Sequence, residues 1–417
     1  MNFSHLANKL RSKITRFSGI LSQDLDKTAR RFIQEAVYGI MASQSVLLTE
    51  IGRQLESQVS LKKIEERFCR QLKKPKLWSS IHDQVLSMAK SRVKEDTLLI
   101  LDLSDLKKKY AEKMEHMATV RDGSDRGELV HGYWTNQIIA AEVGSDQITP
   151  LHFSLYSQAA PEFTGENNQI LNAMDQVGEA LDNKGIWVID RGGDRDKLYR
   201  PLLRHKRDFI IRLVGSRDLI YQDKKVRSLW LAFGCRSSYK RSFVRLKKGK
   251  EVQYNIRYGS VPVQLPDMDT PLNMVVVQGI GNKPMMLLTT RNIRPGEKDL
   301  WFIIQAYLRR WCIEETIRFI KQTYDLENIR VLKYVRLQNM MALLLAVFFF
   351  VSVVLDQTQK LTIMAGHILK NAKRVFGIPD FKYYALGDGL FNIFSQFPGK
   401  LQNQQKMQQI QLAFGFT

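Results

Sequence analysis

Two short apolar runs restrict the architecture more than any other feature of this chain. Residues 97–103 (TLLILDL) and 186–190 (IWVID) have the length of strands, and each carries an aspartate at or beside its end, Asp102 and Asp190. Apolar runs of this length predict strands buried on both faces, as found where helices cover a sheet. Between them lie two longer strand-like segments, 133–143 and 148–156, separated by the turn signal Gly144-Ser145-Asp146 and therefore expected to pair as a hairpin. A helical stretch follows at 168–181, punctuated by Gly185. After Asp190 come a basic helix at 196–205 and another strand at 208–214.

The order strand, strand, strand, helix, strand, helix, strand is the layout of an RNase H-like α/β fold, a mixed sheet covered by helices. In open α/β sheets the active site lies outside the carboxyl ends of the strands, where both aspartates are expected to fall.

Residues before about Glu95 read as helical: Val46, Leu47, Ile51, Leu55, Ile64 and Phe68 recur near helical spacing among lysines and arginines. Ser45 and Ser60 are candidate caps, so 45–55 and 61–72 are a candidate helix-turn-helix that would read DNA, the alternative being a packing or dimerising bundle. From 216 to about 292 the pattern is β-rich and basic, with strand candidates at 253–258 and 272–278. Helix returns at 296 and runs to about 324. Residues 340–355 (MMALLLAVFFFVSVVL) fall short of the roughly 20 apolar residues a membrane span needs, so a helix buried in a large core is expected. The segment after Gln402 is Gln-rich and carries little information.

A formal charge of +21 favours a polyanionic partner, nucleic acid first, over acidic substrates. The three cysteines, Cys69, Cys235 and Cys312, have no paired spacing. Neither a disulfide framework nor a zinc site is suggested, and a reducing compartment, the cytoplasm, is expected.

The stretch 307–321 (YLRRWCIEETIRFIK) places Tyr307, Arg310, Glu314 and Lys321 at offsets of three, seven and fourteen, which share one face of a helix. A carboxylate beside two cations and a phenol can hold a metal ion next to a phosphate. Taken alone, such a face is more often a solvated, salt-bridged stripe. The spacing Y-x2-R-x3-E-x6-K, however, resembles the signature of DDE transposases of the insertion sequence 4 family. ILDLSDLKKKYAEKME resembles the family's first-aspartate region and VIDRGGDRDKLY its second. The apolar helix that follows is similar too, and the resemblance spans about residues 97–355.

The resemblance implies that Asp102, Asp190 and Glu314 are the catalytic acids and hold two Mg2+ ions, for which Mn2+ can substitute. Two ions roughly 4 Å apart suit an in-line phosphoryl transfer. It also implies a homodimer on double-stranded DNA that binds inverted-repeat ends, cuts them and joins the 3′ ends to target DNA, and so is nucleoid-associated when bound. The alternative is a transposase-derived DNA-binding regulator that no longer cuts.

Asp105 competes with Asp102 as first ligand if the strand ends early. Asp194 and Asp196 read as turn or cap acids, and Glu315 as a surface or salt-bridging residue. Tyr307, Arg310, Lys321 and Arg191 are the candidate DNA contacts. Trp301 and Trp311 could stack on an unpaired base, but no motif fixes that, and packing is the expectation. The expected organisation is a helical DNA-binding or dimerisation domain (1–95), the catalytic core in two parts (96–215 and 294–370), an inserted β-rich domain (216–293) and a C-terminal region (371–417).

Overall fold

The computed structural model describes residues 2–121, 127–247, 250–371 and 381–402. Five helices come first: α1 (Phe3–Leu21), α2 (Lys27–Ser43), α3 (Leu48–Arg53), α4 (Leu61–Gln71) and α5 (Leu77–Lys90). Asp26 caps α2 by accepting from the Ala29 amide at 2.8 Å. The helix-turn-helix candidate is represented by α3 and α4, but α3 is only six residues long. Ser45 lies ahead of its cap, Leu47, and Ser60 makes no capping bond to α4.

The sheet begins with β1 (Leu98–Lys107), β2 (Ala118–Arg121), β3 (Leu129–Ala141) and β4 (Ile148–Tyr156), continues through α6 (Glu166–Ala180), β5 (Ile186–Ile189) and α7 (Asp196–Arg204), and reaches β6 (Asp208–Arg212). Strand β4 pairs antiparallel with β3 and β3 with β1, whereas β5 lies parallel to both β1 and β6. The order β4-β3-β1-β5-β6, with helices between β4 and β5 and between β5 and β6, is the RNase H-like arrangement. Gly185 turns the chain into β5 at φ +96°. A Cβ there would stand 2.8 Å from Leu99 Cγ and 3.0 Å from the Thr97 carbonyl, so this crossing of β1 admits only glycine at that place.

The β-rich stretch expected over 216–293 divides in two. A ribbon of β7 (Asp218–Tyr221) and β8 (Lys224–Arg227) leads into the short α8 (Ser228–Gly234). The longer strands β9 (Tyr239–Lys247), β10 (Lys250–Val263), β11 (Leu272–Gln278) and β12 (Met285–Thr289) then extend the core sheet, because β12 pairs antiparallel with β6. Among the described residues ten strands thereby join one sheet, and this part of the insert continues the RNase H-like sheet.

The helix expected over 296–324 is two helices, α9 (Lys298–Arg309) and α10 (Trp311–Thr323), meeting at Arg310. The apolar helix α11 (Tyr334–Phe349) buries thirteen of its sixteen residues and packs on β4, α5 and α2. Helical turns continue it to Val354, and these 21 residues, more than the apolar run in the sequence indicated, are long and apolar enough to cross a membrane, but most of their surface is buried within the fold. Asn339, its buried amide, donates to the Leu72 and Lys74 carbonyls at 2.8 and 2.9 Å, which ties the end of α4 to the helix.

Helices α12 (Gln357–Asn371) and α13 (Tyr383–Gln396) close the described chain. Phe17 of α1 stacks on Phe349, Tyr38 of α2 meets Phe394 edge-on, and Lys13 pairs with Asp356 at 3.0 Å. The amino-terminal helices are thus built against the carboxyl-terminal ones. Nearly all of the Gln-rich segment lies outside the described residues.

Candidate active site

Strand β1 runs five residues beyond Asp102, so this aspartate is in mid-strand and not at the strand end expected from the apolar run. It sits opposite Gln137 of β3, while Asp105 sits opposite Trp134. Asp190 follows β5 directly, as expected, and begins a 3-10 turn by accepting from the Gly192 amide at 2.7 Å. A Cβ on Gly192 would come within 2.9 Å of that Asp190 oxygen, so the glycine leaves room for the carboxylate. Glu314 lies in the first turn of α10.

Arg310, at the junction of α9 and α10, joins two of these acids. Its Nη1 is 3.3 Å from Asp102 Oδ2, and its Nη2 is 2.6 Å from Glu314 Oε1. Tyr307 is buried on α9, and its ring centroid is 5.9 Å from the guanidinium carbon. Desolvation pushes the Asp102 carboxyl up to about 7; Arg310 opposes the rise, and the charges of Asp190 and Glu314 add to it. The strand, turn and helix acids therefore act on one another across the sheet end.

Lys321, two turns further along α10, meets Asp105 at 3.5 Å and Glu327 at 3.4 Å. The helix face read from the sequence thus exists in altered form. Tyr307 belongs to the preceding helix, and both cations expected to meet phosphate are held by carboxylates.

Arg191 is exposed in the turn after Asp190. Asp194 is buried and takes Arg217 Nε at 2.6 Å and the Val214 amide at 2.7 Å, and Asp196 takes the same arginine, so both anchor the chain after β6. Glu315 pairs with Arg318 along α10.

Three carboxylates suit a hard divalent cation in kind. Among the described residues no three acidic, histidine or cysteine side chains stand close enough to form a ready-made metal cluster. Arg310 lies between two of the carboxylates, and its charge stands where a cation's would. A cation of higher charge that displaced the guanidinium would meet an already desolvated acid, Asp102, so the donor set fits such a group once Arg310 moves.

Trp301 packs against Phe243 and Tyr258, with Arg241 4.5 Å from its ring centroid, in agreement with a packing role. Trp311 departs from that expectation and is 48% exposed. Sequence reasoning missed Trp230 and Phe233, three residues apart on α8 and 72% and 62% exposed. Exposed cations Lys224, Lys225, Arg227 and Arg236 flank them, and no Asp or Glu occurs from Lys224 to Lys250. The acid-free run was a legible signal; the exposure of the aromatics was not.

An RNase H-like sheet with acids on β1, at the end of β5 and on a later helix is the arrangement expected of the metal-dependent polynucleotidyl transferases. Within that class, the chain belongs to the family described as the transposase DDE domain, which matches residues 94–350. Members of that family use divalent metal ions. No curated protein matches the sequence. Among solved structures, the chain is similar to the piggyBac transposase in a cryo-EM synaptic complex with hairpin DNA. The identity is 10% and the TM-score 0.43, over 97% of this chain and 81% of that one, a likeness at which nothing of the site transfers.

Proposed function

We propose that this DDE transposase is of the insertion sequence 4 type. In this reading it binds inverted-repeat DNA ends as a homodimer, cleaves them, and joins the 3′ ends to target DNA. The observation that carries the proposal is the Arg310 bridge, which holds Glu314 one turn away and Asp102 208 residues back in the sequence, with Asp190 near enough to act on Asp102. Asp102, Asp190 and Glu314 would hold the divalent ions, Mg2+ or Mn2+, which supply activation of the attacking oxygen and stabilisation of the leaving one.

The chain's own residues do the rest. Arg310, released from the carboxylates, would present a planar fork to a phosphate, a geometry that a lysine cannot reproduce. Tyr307 backs that fork. Arg191 would steady the backbone beside Asp190. Lys321, shared with Asp105 and Glu327, would lend DNA only part of its charge. Trp230 and Phe233, among cations, form an aromatic platform suited to nucleic acid. In a reducing cytoplasm the three thiols, free here, would stay so.

The test is nicking of a labelled element end in Mg2+, run beside a gel shift, for Asp102→Ala, Asp190→Ala and Glu314→Ala. Each should abolish nicking and leave end binding in place. Normal cleavage by one variant removes that acid from the site, and activity in Asp102→Ala with loss in Asp105→Ala moves the first ligand. End binding by the wild type with no nicking would favour a DNA-binding regulator.

A further inference from the structure

Beyond Lys107, where β1 ends, the chain forms one wall of a groove of about 750 Å³ whose other wall is the segment after α10. Two sets of contacts staple the walls together. Buried Lys108 donates to the Glu327 and Ile329 carbonyls at 2.7 and 2.6 Å. At the far end, the Glu115 amide donates to the Leu332 carbonyl at 2.9 Å, and the Glu115 carboxylate accepts from the Tyr334 amide at 2.9 Å. Between the staples the lining includes Lys107, Lys109, Lys113 and Arg330, together with Tyr110, which is 90% exposed. Leu332, half exposed, adds apolar surface. Of the three acids among the described lining residues, Glu327 is taken by Lys321, which leaves Glu112 and Glu128 beside the cations.

We propose that this groove receives the DNA strand running away from the reacting phosphate, with Tyr110 stacked on an unpaired base and the lysines on the backbone. The proposal rests on the transposase reading and adds a binding subsite to it. Three observations carry it. The groove continues the strand that bears Asp102: five residues at roughly 3.4 Å each put Lys107 about 17 Å from it, the rise of about five base pairs. Tyr110 is 90% exposed beside the lining cations, and a base freed from its own stack can lie on such a ring. The stapled walls keep the groove open before DNA arrives, so little ordering is needed on binding.

The experiment uses the full chain in Ca2+ and two DNAs of one sequence, an intact duplex and a duplex with a short single-stranded gap. Wild type should prefer the gapped DNA. Tyr110→Ala should lower gapped-DNA affinity about five- to a hundredfold, the loss of one base stacked on an aromatic ring, and leave duplex affinity unchanged. Tyr110→Phe should restore the preference. Lys109→Ala with Lys113→Ala should lower the salt slope of log affinity by about two. Equal binding of both DNAs by Tyr110→Ala and wild type overturns the proposal. So does a change in sedimentation without a change in DNA affinity, which would make the groove a contact between copies. Nicking by wild type after exchange into Mg2+ separates the two levels: nicking without gap preference sinks the groove and spares the transposase reading, and absence of all DNA binding sinks both.

Discussion

Arg310 reaches one helical turn forward to Glu314, placing Nη2 2.6 Å from Oε1, and with its other terminal nitrogen holds Asp102. On the proposed reading, the guanidinium is the counter-ion that a metal at these acids would displace. Arg310→Ala should therefore raise Ca2+ affinity about tenfold, while lowering the stability of the metal-free protein by roughly 3 kcal/mol through two uncompensated carboxylates. Calorimetric titration and thermal unfolding read the two effects. Weaker Ca2+ binding in the variant would mean that the arginine organises the acids instead of competing for them.

Asp102 gives a second prediction, with its sign set by the raised pKa. A carboxyl whose folded pKa is about 7 favours the fold fully below its unfolded value near 3.8, and that contribution is lost as pH rises through 7. Metal-free Asp102→Asn should therefore be more stable than wild type at pH 8, by on the order of 1–3 kcal/mol, and equal to it near pH 4. Mg2+ should raise the Tm of wild type and leave the variant unchanged. Calorimetry at the two pH values checks both statements.

Two buried histidines supply a third. His152 Nδ1 is 3.0 Å from His82 Nε2, its Nε2 is 2.8 Å from Ser154 Oγ, and Trp78 stacks on His82. Asp83, largely exposed, stands 3.8 Å from the other His82 nitrogen. Burial pulls His82 down to about 4 and His152 well below the ordinary imidazole range. The unfolded chain takes up these protons first, so the histidines' contribution to stability should be level above pH 7 and fall between about 6.5 and 4, by about 3 kcal/mol for His82 alone. Because Asp102 acts in the opposite sense over the same window, the readout is the difference in denaturant midpoint between wild type and His82→Gln, and a difference that stays level from pH 7 to 4 would refute it.

Lys321 carries a fourth. A cation free to meet phosphate would reduce the salt slope of DNA binding by about one when neutralised. Because Lys321 already lies beside Asp105 and Glu327, Lys321→Met should lower the slope by clearly less than one and should destabilise the protein. A full unit lost, with an unchanged Tm, would show that the ion pairs break on DNA.

The exposed pair on α8 gives the last. Trp230→Ala and Phe233→Ala remove little buried surface, so the Tm should hold within about a degree for effects under 0.5 kcal/mol. DNA affinity at fixed salt should fall by about 1–3 kcal/mol for each base that loses its platform. Unchanged affinity in both variants would assign these side chains to another partner.

The core of the fold was legible because its signals are local. The run ending at Asp190 contains nothing polar to continue it, and β5 stops there. The run through Asp102 misled for the opposite reason: Ser104 and Asp105 look like a strand end, yet Thr135 and Trp134 pair with them and carry β1 to Lys107. The break at Arg310 involves neither proline nor glycine; it accompanies the pull of two acids on one side chain. The pairing of β12 with β6 depends on segments about 75 residues apart, a separation that periodicity does not register. Likewise, the capture of Arg310 and Lys321 by carboxylates follows from the third dimension, which a helical wheel lacks.

The packing of α1 and α2 on α11 and α13 sets an order of events during synthesis. At 5–20 residues per second the ribosome needs about 20–80 seconds to pass from the first helix to the last of its partners. Through that interval Phe17 and Tyr38 have emerged, but Phe349 and Phe394 have not. The amino-terminal helices must wait for the carboxyl-terminal ones, and a truncated nascent chain would expose an unfinished apolar face in place of a finished amino-terminal unit.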